Sequence, residues 1–133
     1  MPRKPFVLFV CRHNTGRSQM AEAYLRYFAG DAVDVASAGT EPADAPDPGV
    51  VSAMAEDGID ISTARPKLLN PGTIGRATRI ITMGCDVDGV LRVDEDWGLP
   101  DPKGQPLERV GSIRDLIKAK ALALAADLRK TSK

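Results

Sequence analysis

Phe6-Val-Leu-Phe-Val-Cys-Arg-His-Asn-Thr-Gly-Arg-Ser-Gln-Met-Ala-Glu22 runs from an unbroken apolar segment, through a polar turn, into an amphipathic stretch. Phe6 to Val10 is β-branched and aromatic without polar alternation, the pattern of a strand covered on both faces. From Ser18 onward, Met20, Ala21, Tyr24, Leu25 and Phe28 recur at three- and four-residue spacing, which predicts a helix over 18–28 that Gly30 closes. Outward from this junction the alternation continues. Val33 to Ser37 reads as a second strand, Gly39 to Gly49 as a Gly/Pro-rich loop, and Val50 to Asp57 as a helix ended by Gly58. Pro71 to Ala77 reads as a short helix, Thr78 to Met83 as a third strand and Asp94 to Leu99 as a short fourth one. Leu107 to Leu128 is a long amphipathic helix, with Val110, Ile113, Leu116, Ile117, Leu122 and Leu124 as its core contributors. Strands alternating with helices predict an α/β fold: a doubly wound, four-stranded parallel sheet in a flavodoxin-like three-layer sandwich, with residues 1–133 as one domain.

Composition narrows the function. Lys plus Arg and Asp plus Glu both number 18, so no net field draws in nucleic acid or an acidic membrane surface. Any affinity for anions must come from local geometry. No run of 18 apolar residues exists. The basic-then-apolar start has a short apolar run and no small-residue cleavage site, so it reads as a buried strand and the expected location is cytoplasmic. Two cysteines, Cys11 and Cys85, are too few for a disulfide scaffold. With one histidine and no C-x2-C pair, no metal site is expected.

The turn Cys11-Arg-His-Asn-Thr-Gly-Arg17 sits where open α/β sheets place their ligands. Successive backbone N–H groups of Arg12, His13, Asn14, Thr15, Gly16 and Arg17 can form a nest for an oxyanion, helped by the positive end of the following helix. Arg17 supplies a planar fork for two oxygens of one anion. Cys11 faces the central atom, and the same fields favour its thiolate. Ser18 can donate its hydroxyl to that sulfur.

Cys11-Arg-His-Asn-Thr-Gly-Arg-Ser-Gln-Met-Ala-Glu22 resembles the loop and following helix of the low-molecular-weight tyrosine phosphatase superfamily, and more closely its arsenate reductase branch. Ser37-Ala-Gly-Thr40, Gly58-Ile-Asp-Ile-Ser62, Ile81-Thr-Met-Gly-Cys85 and Glu95-Asp-Trp-Gly-Leu-Pro-Asp-Pro102 extend the resemblance in order along nearly the whole chain. The resemblance implies Cys11 as nucleophile, Arg17 as oxyanion clamp, Ser18 as thiolate partner and Asn14 as the side chain that holds the loop in shape. It also implies Asp101 as general acid, a role suited to a carboxyl partly desolvated over the loop. On residue type alone, Asp101 before Pro102 is a turn residue.

Arsenate and phosphate are near-isosteres, so one loop accepts both. A phosphatase hydrolyses the cysteinyl adduct, whereas a reductase lets a second thiol resolve it and release arsenite. Asp101-Pro-Lys-Gly104 lacks the aromatic pair of a phosphotyrosine pocket, which favours the reductase; the alternative is a phosphatase for phosphotyrosine or small phosphate esters. Thioredoxin-coupled members carry a cysteine pair after the third strand, but only Cys85 stands there, so the resolving thiol is either Cys85 itself or an external one. The resemblance therefore leans to the arsenate–mycothiol transferase type, with mycothiol and a glutaredoxin-like protein as reductants and thioredoxin as the alternative. No tightly bound cofactor is expected. Some relatives hold potassium beside the loop with Asn, Glu, Ser and Asp. Asn14, Glu22 and Ser37 match, while Lys67 stands at the Asp position, where its ammonium can replace the cation and pair with Glu22. His13, the only histidine, reads as a loop spacer valued for its backbone N–H, and Arg12 likewise.

Overall fold

The computed structural model describes residues 4–84 and 92–131. Four parallel strands, β1 (Phe6–Cys11), β2 (Asp34–Gly39), β3 (Arg79–Thr82) and β4 (Glu95–Asp96), form one sheet in the order β2-β1-β3-β4. Helix α1 (Arg17–Ala29) joins β1 to β2, α2 (Pro48–Glu56) and α3 (Pro71–Arg76) lie between β2 and β3, and α4 (Leu107–Thr131) follows the sheet. From β1 the chain first steps outward to β2, then crosses back to lay β3 on the other side. That reversal puts a topological switch point at the carboxyl end of β1, where Cys11 lies.

The predicted α/β class and parallel sheet are present, but the sheet is covered unequally. One face carries Val7, Phe9, Ile81 and Met83 against Met20, Tyr24 and Leu25 of α1, Val50 and Met54 of α2, and Ile113 and Ile117 of α4. The other face carries Leu8, Val10 and Ile80, with Ala77 and the short α3 above them. The three layers are one thick helical layer, the sheet and one thin layer.

Several boundaries move for identifiable reasons. Helix α2 begins at Pro48, two residues before the expected Val50, because Asp47 caps it: its carboxylate accepts the Gly49 N–H at 2.8 Å and Pro48 occupies the first turn. Strand β4 shrinks from the expected 94–99 to two residues. On α4, Leu116 and Leu122 were expected in the core but are 51% and 53% exposed. Val110, Ile113, Ile117 and Leu124 are buried as predicted, and Ala121, Ala125 and Leu128 complete that face. Ala121 and Ala125 take buried positions in the second half of α4, and the period alone did not separate them from the leucines beside them.

Candidate active site

The loop from Cys11 to Gly16 is oriented by where its carbonyls go. Cys11 O accepts from Thr40 N (3.3 Å), Arg12 O from Glu41 N (2.8 Å), His13 O from Ala43 N (3.2 Å) and Thr15 O from Asp47 N (3.0 Å). Asn14 O accepts from Gln19 Nε2 at 3.1 Å, and Gly16 O from Met20 N at 2.9 Å. All six carbonyls point outward, and a planar trans peptide directs each following N–H the opposite way. The amides of residues 12–17 therefore converge inward as the predicted nest. The segment 39–47, read from sequence as a mere Gly/Pro-rich loop, is the outer brace that achieves this.

The brace needs Gly39. A β-carbon there would lie 2.6 Å from Arg12 O and 3.0 Å from Asn14 N, so only glycine lets the loop cross the end of β2. Asn14 has φ +55°, a left-handed conformation that Asn tolerates better than most residues.

A directed hydrogen-bond chain ends on the nucleophile. The Lys67 N–H donates to Asn14 Oδ1 at 2.9 Å, and Gln19 Nε2 donates to the same oxygen at 3.2 Å. With Oδ1 so fixed, the Asn14 amide nitrogen donates to Ser18 Oγ at 2.8 Å. Ser18 Oγ lies 2.7 Å from Cys11 Sγ, and because it already accepts from Asn14, its own proton is left for the sulfur. The Asn14 N–H adds a second contact to Sγ at 3.3 Å. Asn14, Ser18 and Gln19 are all buried, which excludes water from the chain. No motif marks Gln19 or the Lys67 backbone; the signal the sequence carries is a glutamine in the first turn of a helix, flanked by core residues.

Arg17 is held from the far side. Its Nη1 donates to Met83 O at 2.8 Å and to Leu99 O at 2.7 Å, tying the loop to the ends of β3 and of the segment after β4. Cys11, Arg12, His13, Thr15 and Arg17 open together on a cleft of about 250 Å³ that Asp47, Asp101, Pro102 and Lys103 complete. Gly16 lets Pro102 sit against the loop, since an added β-carbon would stand 3.2 Å from Pro102 Cγ.

Asp101 reaches this cleft but is not desolvated as expected. It is exposed, and its Oδ1 accepts the Lys103 N–H at 3.0 Å in a turn ahead of the helix that follows, as residue type alone suggested. Cys85 lies outside the described residues. Arg12 is exposed and pairs with Glu41, Nε to Oε2 at 2.9 Å. His13 Nδ1 lies 3.0 Å from Glu41 O. Glu22 accepts from Ser37 Oγ at 2.6 Å and pairs with Arg26 at 2.7 Å. Lys67 Nζ stands 3.8 Å from Glu22 Oε1 with its side chain 49% exposed, a loose pair beside the loop. Asp47 was not foreseen; its N–H donates to Thr15 O and the residue lines the cleft.

A larger cleft, about 720 Å³ between Phe6, Asp34 and Arg76, lies at the opposite end of the strands and contains no loop residue. Among the described residues, no helix is long and apolar enough to cross a membrane.

Residues 6–133 match the family model described as low molecular weight phosphotyrosine protein phosphatase. An arsenate reductase of Staphylococcus haemolyticus is 34% identical over 121 residues, spanning 86% of this chain and 92% of its own. A solved arsenate reductase in its phosphate-binding state superposes with a TM-score of 0.84 at 32% identity, covering 93% of this chain and 98% of the other. A thioredoxin-dependent arsenate reductase of Corynebacterium glutamicum gives a TM-score of 0.81 at 36% identity, over 96% of this chain and 63% of that longer one.

Proposed function

The chain belongs to the low molecular weight phosphotyrosine protein phosphatase family, and from its likeness to arsenate reductases we propose that it is an arsenate reductase acting through Cys11. The observation that carries the reading is the lining of the cleft. Its ten residues include four cations or anions besides Arg17 and His13, and no Phe, Tyr or Trp to stack on an aromatic ester. A bare tetrahedral oxyanion fits that lining; a phosphotyrosine does not.

In the first step the Cys11 thiolate, held by Ser18 and the Asn14 N–H, attacks arsenic. The inward amides and the free edge of the Arg17 guanidinium carry the negative charge of the oxygens. An oxygen leaves as water with a proton from Asp101, a carboxyl residue lining the cleft in the segment after β4. A second thiol then resolves the adduct. Two thiols end as a disulfide and arsenic leaves as arsenite, so two electrons pass from sulfur to arsenic. We assign the second thiol to a small molecule such as mycothiol, backed by a glutaredoxin-like protein, because the cysteine pair of thioredoxin-coupled relatives is absent from the sequence after β3.

The test compares arsenate turnover of the parent and Cys85→Ser, with mycothiol plus its glutaredoxin-like partner and with thioredoxin. Survival of the variant in the mycothiol system is expected. A variant that folds and forms the first adduct, yet turns over in neither system, refutes the external-thiol route and gives Cys85 the resolving role. Hydrolysis of p-nitrophenyl phosphate by the parent, with no arsenate turnover under any reductant, returns the protein to the phosphatases.

A further inference from the structure

We propose that the His13 imidazole is the base that takes the proton from the incoming thiol, an inference that rests on the arsenate reductase reading above. His13 is the only histidine in the chain and lines the same cleft as Cys11. Its Nδ1 lies 3.0 Å from the Glu41 carbonyl, and a carbonyl only accepts, so Nδ1 carries the proton. The neutral ring then keeps its lone pair on Nε2, for which the described residues provide no hydrogen-bond partner. Glu41 is itself fixed twice by Arg12: its N–H donates to Arg12 O at 2.8 Å and its carboxylate accepts from Arg12 Nε at 2.9 Å. The ring is therefore oriented by the brace, which is more than a spacer residue needs.

The chemistry of the second half explains why an imidazole belongs there. Free thiols ionise near pH 8.5, so most of a small thiol arrives protonated. Imidazoles as a class titrate near 6.5 and carboxylates near 4, which makes an imidazole the better matched acceptor for a thiol proton. Topology separates the two proton carriers. His13 is tied to the segment after β2, at one edge of the sheet, and Asp101 follows β4 at the other. The charged groups sharing the cleft with the ring are Arg12, Arg17, Asp47, Asp101 and Lys103, with Glu41 on the brace.

In the step itself, Nε2 takes the S–H proton and the new thiolate forms a bond to arsenic. The Cys11 Sγ–As bond breaks, and its electron pair returns to Sγ, where Ser18 and the Asn14 N–H receive it. Attack falls on arsenic because Cys11 is 4% exposed and its sulfur is backed by those two donors. Arsenic remains pentavalent here. Reduction follows when a thiolate of the glutaredoxin-like protein attacks the transferred sulfur. The S–As pair then passes to arsenic, which leaves as arsenite after taking up the proton.

The experiment measures arsenate turnover, with the glutaredoxin-like protein in excess so that reduction does not limit the rate, using two thiols: 2-mercaptoethanol, largely protonated at neutral pH, and thionitrobenzoate, already ionised. His13→Gln should lose at least about tenfold with 2-mercaptoethanol and stay within about threefold of the parent with thionitrobenzoate, since only the first needs a base. His13→Asn, which keeps a donor towards Glu41 O, should show the same selective loss. Free imidazole should restore His13→Ala with 2-mercaptoethanol alone. Equal losses with both thiols, no loss with either, or a selective loss in Asp101→Asn and not in the His13 variants, overturn the assignment. A parent that reduces no arsenate with any thiol refutes the reductase reading instead.

Discussion

Gly39→Ala tests whether the oxyanion loop owes its shape to the end of β2. The new β-carbon would start 2.6 Å from Arg12 O and 3.0 Å from Asn14 N, both backbone atoms. β2 cannot retreat, because Gly39 is pinned on its outer side by Lys67 O at 2.8 Å and by the Leu69 N–H at 2.9 Å. The loop must therefore shift by roughly 0.8 Å to reach ordinary van der Waals separation of about 3.4 Å. Overpacking of this kind costs about 1–3 kcal/mol. For a domain of this size that is a melting temperature lower by roughly 3–12 °C. The catalytic loss should be larger than the stability loss suggests. A misplacement approaching 1 Å costs on the order of a hundredfold in rate, so kcat/KM for arsenate should fall about 30- to 100-fold, near 2–2.7 kcal/mol of transition-state stabilisation. Phosphate affinity measured by calorimetry should fall with it. Gly75→Ala is the control, since nothing lies within 4 Å of a β-carbon added there. Turnover within threefold of the parent, with phosphate binding unchanged, would falsify the brace.

Cys11→Ser should abolish arsenate turnover and leave phosphate binding, because the inward amides and Arg17 remain; residual activity within tenfold of the parent removes Cys11 as nucleophile. If the Lys67 ammonium stands in for a bound cation, Lys67→Ala should melt lower in sodium buffer, by no more than about 1 kcal/mol given the 49% exposure of the side chain, and potassium should restore part of the loss. A melting temperature indifferent to both changes leaves Lys67 to its backbone role. Asp57, at the C-terminal cap of α2, gives a test away from the loop. Hydrogen bonds from Lys118 and then from Tyr24 hold its carboxyl below the usual range. A depressed carboxyl contributes stability above its unfolded value, near 3.9, and loses it as pH falls through the folded one. Lys118→Ala should therefore destabilise the protein at pH 7, and the gap from the parent should close as pH drops below about 4; a gap constant from pH 7 to pH 3 contradicts the ion pair.

Helical and strand periods carried the fold. The unbroken apolar run of β1 and the three- and four-residue spacing of α1 come from burial on known faces, and burial is what the sequence pattern records. Leu116 and Leu122 are exposed because the buried stripe of α4 runs through Val110, Ile113, Ile117, Ala121, Leu124, Ala125 and Leu128. On a helix rich in leucine and alanine, hydrophobicity alone does not say which of the two faces the core. Helix α2 was misplaced because its start is marked by Asp47 and Pro48, a cap and a first-turn proline hidden within a segment already assigned to loop.

The site divided along a similar line. That Cys11, Arg17 and Ser18 come together was legible because their placement depends on spacing within one turn. The brace was not, because it works through main-chain groups of Thr40, Glu41, Ala43, Asp47 and Lys67, which any residue but proline provides. Side chains become informative there only where they are excluded, at Gly39, or where they must terminate a chain of donors, at Asn14 and Gln19. The same reasoning explains how a chain with no net charge can hold a multiply charged anion. Six carbonyls are turned outward, four by partners far along the sequence and two by the first turn of α1, so six amide dipoles point inward before any ligand arrives. The orientation is set during folding, in contacts between loop and brace, and the oxyanion meets a field that needs little rearrangement to receive it.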